Sequence, residues 1–388
     1  MGLSPLSGPP TIAEMQSRLA KVRDAMAQQD LDYYVSECPD NVFYLTNFAN
    51  FIHERPFVLV VPRSGNLMFV VPKLEMPHVK CRAVGDIDLV SYFEFPAPKG
   101  EAWSDRFKEL MIGASRVGVE SVGSRQVHDE VPGTCVRADI IDDARQVKTD
   151  YELSRIIYTS NLATDGMTKL LGAAKPGMSL LEVNSLIKGT LLLQVLIDEP
   201  SSNLLCTDFG VVFQPPSVSH DPHNFTDVSM AMEEGGPNVA LINGRANGYG
   251  TEVERTFFLG QVPEAARRPY EVMMEVRRKA FELSVPGNVM GEIDEACNAI
   301  FKKAGYGDNL LHRTGHSIGV TGHEGPFLAQ GYERVIEPGM LFTIEPGVYL
   351  PGIGGFRHSD TVLVTETRNR SLTPVPDSLE DMTLPIRD

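Results

Sequence analysis

The sequence is poor in features that mark several classes of protein. Its five cysteines, Cys38, Cys81, Cys135, Cys206 and Cys297, are scattered, odd in number and never form a Cys-x-x-Cys pair. Neither a disulfide framework nor a cysteine-held zinc is indicated, and a reducing, cytoplasmic compartment is the expectation. No run of about 18 apolar residues is present, so no membrane span is expected. Met1 to Pro10 lacks a basic stretch followed by an apolar one, which argues against a secretory signal and for a short disordered leader. Positive charge is also scarce: 35 lysines and arginines stand against 51 aspartates and glutamates, a formal charge of −16. Phosphate binding needs a basic patch, so no nucleic-acid partner is expected.

What is present is an ordinary globular composition, 42% hydrophobic and 22% charged, over 388 residues. That length suits two cores better than one. Thr11 and Glu14 form a capping-box pattern, after which Ile12, Met15, Leu19, Val22 and Met26 recur at helical spacing through Gln29. Leu31 to Val35 and Val117 to Glu120 read as strands. Phe57 to Val61 and Leu67 to Val71 read as a hairpin closed by Pro62-Arg63-Ser64-Gly65-Asn66. Strands alternating with helices predict a smaller α/β domain over residues 11–144. A second capping box, Thr149 with Glu152, opens a long helix that Pro176-Gly177 breaks, and Ser179 with Glu182 opens another. Further on, Val239 to Ile242, Thr251 to Leu259, Leu341 to Ile344 and Thr361 to Val364 read as strands. Glu264 to Leu283 and Glu292 to Ala304 read as helices. Residues 145–388 are therefore expected to form a second, α+β domain. Arg267, Arg268, Arg277, Arg278 and Lys279 read as one solvated basic helix face.

Three segments concentrate groups able to do chemistry. In Gly248-Tyr249-Gly250-Thr251-Glu252-Val253-Glu254-Arg255-Thr256, two glutamates stand two apart and share a strand face. Spacing alone leaves open whether that face meets solvent or a pocket. His312-Arg313-Thr314-Gly315-His316 is followed by His323-Glu324-Gly325-Pro326. Neutral imidazole is both a metal ligand and a base near pH 7. A glycine-rich loop with hydrogen-bonded histidines is an equal reading. Glu345 stands between an apolar strand and Pro346-Gly347, where a carboxylate needs a cation, a proton or a metal. His223 lies in the polar fragment Asp221-Pro222-His223-Asn224.

Together, "GYGTEVERTFFLG", "HRTGHSIGVTGHEGP" and "LFTIEPGVYLPGIGGFRHSDTVLVTE" resemble the metal-strand, histidine and closing motifs of the creatinase/aminopeptidase P/prolidase superfamily, in order from Arg145 onward. The resemblance implies an α+β fold: a pita-bread catalytic domain, a curved sheet flanked by two helix pairs, preceded by a creatinase N-terminal-like α/β domain. It also implies a homodimer. Peptidase members hold two divalent ions on two Asp, one His and two Glu. Those positions fall here on Leu241, Glu252, His316, Glu345 and Ser359, so two anionic ligands are lost.

The site pattern resembles that of creatinase, the metal-free hydrolase of the family. Glu254 precedes Arg255-Thr256 where peptidases have Thr, His223-Asn224 matches the fragment bearing the catalytic histidine, and Arg55 matches an arginine lent by the partner subunit. The resemblance implies a catalytic group of His223, Glu254, Glu345 and His316, with Glu252, His323, Arg55 and Phe51 against the substrate and no cofactor. Facing carboxylates would hold a planar cation while His223 carries a proton from water to the leaving nitrogen. The product would be a broken C–N bond in a small amidine, guanidino or lactam substrate. The alternative is one Mn, Zn or Fe ion on Glu252, His316 and Glu345, giving an Xaa-Pro peptidase-like hydrolase or a lyase. A non-catalytic binding protein is the remaining possibility.

Overall fold

A computed structural model describes residues 8–51, 54–225 and 227–386. It divides into two compact units, one formed by Gly8–Arg145 and one whose described part begins at Gln146. Most of the expected leader, residues 1–7, lies outside the described residues.

The first unit is built on a six-stranded sheet with β1 (Tyr33–Ser36), β2 (Val58–Pro62), β3 (Leu67–Pro72), β4 (Ile87–Tyr92), β5 (Arg116–Val119) and β6 (Thr134–Arg137) in the order β4-β3-β2-β1-β5-β6. The hairpin read from the sequence is the antiparallel β2–β3 pair, while β1, β5 and β6 run parallel. The helix Ile12–Gln28 starts where expected, with the Thr11 hydroxyl accepting from the Glu14 N–H. Its Met15, Arg18, Val22 and Met26 form one buried stripe at helical spacing.

The second unit carries β7 (Asp208–Gln214), β8 (Gly235–Ala246), β9 (Tyr249–Leu259), β10 (Gly315–Ser317), β11 (Glu324–Leu328), β12 (Leu341–Ile344), β13 (Gly347–Leu350), β14 (Gly354–Arg357), β15 (Ser359–Val364), β16 (Asn369–Ser371) and β17 (Thr383–Leu384). The main sheet runs β12-β15-β9-β8-β7, with β16 on β15 and β17 on β9; β10–β11 and β13–β14 are two-stranded ribbons. The centre is the long hairpin β8–β9, which turns at Asn247-Gly248 with φ +47° and +89°. Two successive positive φ values suit a two-residue hairpin, and Asn-Gly adopts them at low cost. Every residue of β9 is buried, so both of its faces are covered.

The helix Asp150–Ala173, opened by a reciprocal Thr149/Glu152 capping box, packs on β8 and β9. The helix Leu180–Asp198 packs on β7 through Leu180, Val183, Ile187, Leu191 and Val195. Each such side chain contributes roughly 1.5–3 kcal/mol when fully buried. This second helix corrects the reading that no segment is apolar enough to span a membrane: by length and composition it is. Its i, i+3/i+4 stripe is nonetheless committed to the core.

A second correction concerns the helix Glu264–Leu283. Arg277 is not on a solvated face: it is buried and pairs with Asp360 and with Asp377. Its neighbours Arg267 and Arg268 do sit on exposed surface.

Candidate active site

Register decides which side chains meet. Leu241 on β8 is directly opposite Glu254 on β9, and Glu254 is directly opposite Ser359 on β15. These three therefore form one row across the sheet on the face that also carries Glu252. The question left open by spacing is answered: Glu252 and Glu254 are 7% and 1% exposed, inside the protein rather than at a solvated edge. Arg255 points to the other face, where it donates to both oxygens of Asp360 at 3.1 and 3.3 Å, with Arg277 completing a buried ionic layer beneath the site.

Glu345 follows β12, and its N–H is held by the Thr314 carbonyl at 2.9 Å. His316 lies on β10, with its N–H on the Thr343 hydroxyl at 3.0 Å. The His316 Nδ1 sits 3.0 Å from the Ser317 carbonyl, so Nδ1 carries the proton and Nε2 is left to face Glu345 Oε1 at 3.3 Å. Close approach here requires glycine at Gly315, where a Cβ would come within 2.0 Å of the Thr343 carbonyl. The His323 ring stands 4.0 Å from that of His316, centroid to centroid. His223 is exposed on its turn, close enough to His312 and His323 to disfavour their charged forms.

Burial dominates the electrostatics. It pushes Glu254 up to about 7, with Arg357 pulling it down and Glu252 pushing it further up. It raises Glu345 well above the usual carboxylate range, and Glu252 adds to the effect. It lowers His316 to about 4, against the pull of Glu252, and lowers His323 as well. Burial thus disfavours charge on both members of the pair that face each other across 3.3 Å, Glu345 and His316.

Several residues that shape the site carried no expected role. Arg357 is buried and ion-paired with Glu254. His312 is not available as a base: its Nδ1 lies 2.8 Å from the Arg313 carbonyl and its Nε2 2.7 Å from the Tyr349 hydroxyl, and burial lowers it to about 3. Glu324 stands with the site histidines in sequence but serves the scaffold. One of its oxygens accepts from Lys148 Nζ at 2.6 Å and the other from the Thr321 N–H and hydroxyl. Lys148 also reaches the Ser317 hydroxyl at 3.1 Å, so this buried pair ties the two ends of the loop between His316 and His323. A lysine just before a capping box was the only hint of it. Arg55 pairs with Glu54 and Glu94 within the first unit, where Phe51 is 60% exposed.

Two groups of side chains offer ligand atoms that all lie within 4.8 Å of one another: Glu252, His316 and His323, and Glu252, Glu254 and Glu345. Residues 155–366 match the model of metallopeptidase family M24, and residues 18–142 that of the creatinase/prolidase N-terminal domain. The chain belongs to metallopeptidase family M24. It is 27% identical over 365 residues to an Xaa-Pro dipeptidase of Pyrococcus furiosus, covering 92% of this chain and 98% of that one. It is 27% identical over 380 residues to an Xaa-Pro dipeptidase of Lactobacillus delbrueckii subsp. lactis, covering 95% and 100%. The fold is that of the prolidase from Pyrococcus horikoshii OT3, with a TM-score of 0.80 at 23% identity, over 94% of this chain and 99% of that one.

The matched model is that of a metallopeptidase family, and the residues present fit one ion better than two. Glu252 with two neutral imidazoles is a three-ligand set of the kind that leaves an open coordination position. A second ion would need carboxylates where this member of M24 has Leu241 and Ser359, and a hydroxyl and an isobutyl group are poor substitutes. The metal-free expectation is weakened accordingly, and the grouping favours His323 rather than Glu345 as the third ligand beside Glu252 and His316.

Proposed function

We propose that this chain is a hydrolase of a C–N bond in a small peptide-like substrate, of the Xaa-Pro dipeptidase kind, working with one divalent ion (Mn, Zn or Fe) held by Glu252, His316 and His323. The observation that carries this reading is that these three side chains bring their ligand atoms within 4.8 Å of one another, in a chain whose curated relatives of matching length include Xaa-Pro dipeptidases. An ion so held supplies Lewis-acid polarisation of a carbonyl.

The chain's own groups do the rest. Glu345, whose carboxyl burial raises toward the protonated form beside His316, is placed to hand a proton to the leaving nitrogen. Glu254, fixed by its ion pair with Arg357, lines the floor of the pocket beneath the substrate. His223, exposed near His323, is suited to exchange protons with bulk water. Arg55 and Phe51 reach the substrate, in this proposal, from the first unit of a second copy in a homodimer. Chains that sediment as monomers while retaining full activity would remove that part.

A second reading is favoured by one atom. The Oε2 of Glu254 is buried with no hydrogen-bond partner. Such an oxygen is costly unless a ligand completes it, and a cationic amidine or guanidine in a creatinase-like, metal-free reaction would do so.

The deciding experiment is metal content by elemental mass spectrometry on protein purified without chelator, alongside Ala-Pro hydrolysis. About one equivalent per chain and chelator-sensitive cleavage are expected. Folded, metal-free protein that turns over an amidine or guanidine but not Ala-Pro would replace the first reading with the second.

A further inference from the structure

Arg313 is three residues before His316, and its guanidinium carbon lies 4.6 Å from the centre of the Phe327 ring. Phe327 is the cross-strand partner of His316 in the β10–β11 ribbon, so its ring shares the face that carries His316. Tyr332 packs edge-on against Phe327 at 5.6 Å and fixes the ring. The stacked arginine is thus held beside the site and not over open surface.

It is held there without a counterion. Arg313 is half-buried, its Nε is enclosed with no hydrogen-bond partner, and among the described residues its side chain makes no ion pair. Two guanidiniums act on Glu345, those of Arg357 and Arg313; the first is paired with Glu254 and the second is not. Stacking on an aromatic face leaves the edge of a guanidinium, with its parallel N–H donors, free to form a bidentate pair.

We propose that Arg313, backed by Phe327, is the subsite for a carboxylate of the substrate, and that it selects molecules with a free carboxylate near the C–N bond to be cleaved. For a dipeptide this group is the C-terminal carboxylate, so the subsite measures chain length: a longer peptide or a blocked terminus presents no anion there. The inference rests on the hydrolase reading for where the substrate lies. It does not depend on which ion, if any, is bound. It also accounts for how a pocket with three glutamates accepts an anionic molecule, since the carboxylate end is directed to the guanidinium and away from Glu252, Glu254 and Glu345.

The probes are Ala-Pro and Ala-Pro amide, which differ only in the anionic terminus. Equilibrium binding to the protein as purified is compared with binding to R313M and R313K, each checked for an unchanged unfolding midpoint. A charge-assisted pair is worth on the order of a ten- to hundredfold difference in affinity. The wild type should therefore bind the acid about that much more tightly than the amide. R313M should lose the preference and R313K should recover part of it, a rescue that a purely structural arginine would not show. Equal binding of acid and amide, no binding of either, or a preference that survives in R313M overturns the subsite. A wild type that prefers the acid but hydrolyses neither probe leaves the subsite standing and overturns the hydrolytic reading.

Discussion

Replacing Lys148 with methionine should cost the second unit several kcal/mol, and the reason is local. Lys148 and Glu324 are 1% and 4% exposed and meet at 2.6 Å. Methionine fills much the same volume but takes away the cation that faces Glu324 Oε1, while the Thr321 donors serve the other oxygen. Removing one partner of a buried pair costs about 3–5 kcal/mol, because the remaining charge is stranded in a poor solvent for it. In a domain of this size each kcal/mol moves the midpoint by about 2–4 °C, so a fall of roughly 10 °C is expected for metal-free protein in a thermal melt followed by circular dichroism. Lys148→Met combined with Glu324→Leu should recover most of that loss, since two apolar groups of similar size need no solvation. The loop tied by this pair carries His316 and His323 at its ends, so Lys148→Met should also bind metal more weakly. A midpoint within about 2 °C of wild type, or a double variant no better than the single one, would refute the argument.

Other outcomes follow from the same geometry. Glu254 has its carboxyl raised from the usual 4.5 to about 7. Its contribution to stability is therefore full below pH 4.5 and is lost as the pH rises through 7. That amounts to about 3 kcal/mol at 1.36 kcal/mol per pH unit, as an order of magnitude. The midpoint difference between metal-free wild type and Glu254→Gln should change over this window, and a difference that is constant from pH 4.5 to 8 would contradict the burial argument. Leu241→Asp with Ser359→Glu should raise the metal content from about one to about two equivalents by elemental analysis, because it restores carboxylates on both sides of Glu254; an unchanged content would mean that the row is not a metal position. His323→Ala should weaken binding of a single ion more than about tenfold in a chelator competition, whereas a third-ligand role for Glu345 instead would leave affinity nearly unchanged.

Much of the architecture could be read from the sequence, because caps and periodicity are local signals. The Thr149/Glu152 and Ser179/Glu182 boxes mark their helices to the residue, and the helix Glu264–Leu283 has the bounds read from its pattern. What local pattern could not show is which distant residues share a face. Glu252 and Glu254 were ambiguous until register put Leu241 and Ser359 on either side of Glu254. Arg277 looked solvated because its helix is rich in charge; its partners, Asp360 and Asp377, are 83 and 100 residues away in sequence. Glu324 follows His323 in a segment rich in groups able to do chemistry, yet its carboxylate meets Lys148. His223, which the resemblance placed in the catalytic group, is exposed on its turn, and its proximity to His312 and His323 is a tertiary fact.

The two faces of β9 have different freedom to change. Below, Arg255, Asp360 and Arg277 form a closed ionic set that fixes the strand positions. Above, the residues at one level, Leu241, Glu254 and Ser359, come from three strands whose spacing that set maintains. Substitution along the upper level can then alter how much negative charge the pocket holds, and where, without moving the backbone. The sheet thus divides its labour between a foundation that holds three strands in register and a working surface whose chemistry can be rewritten a few side chains at a time.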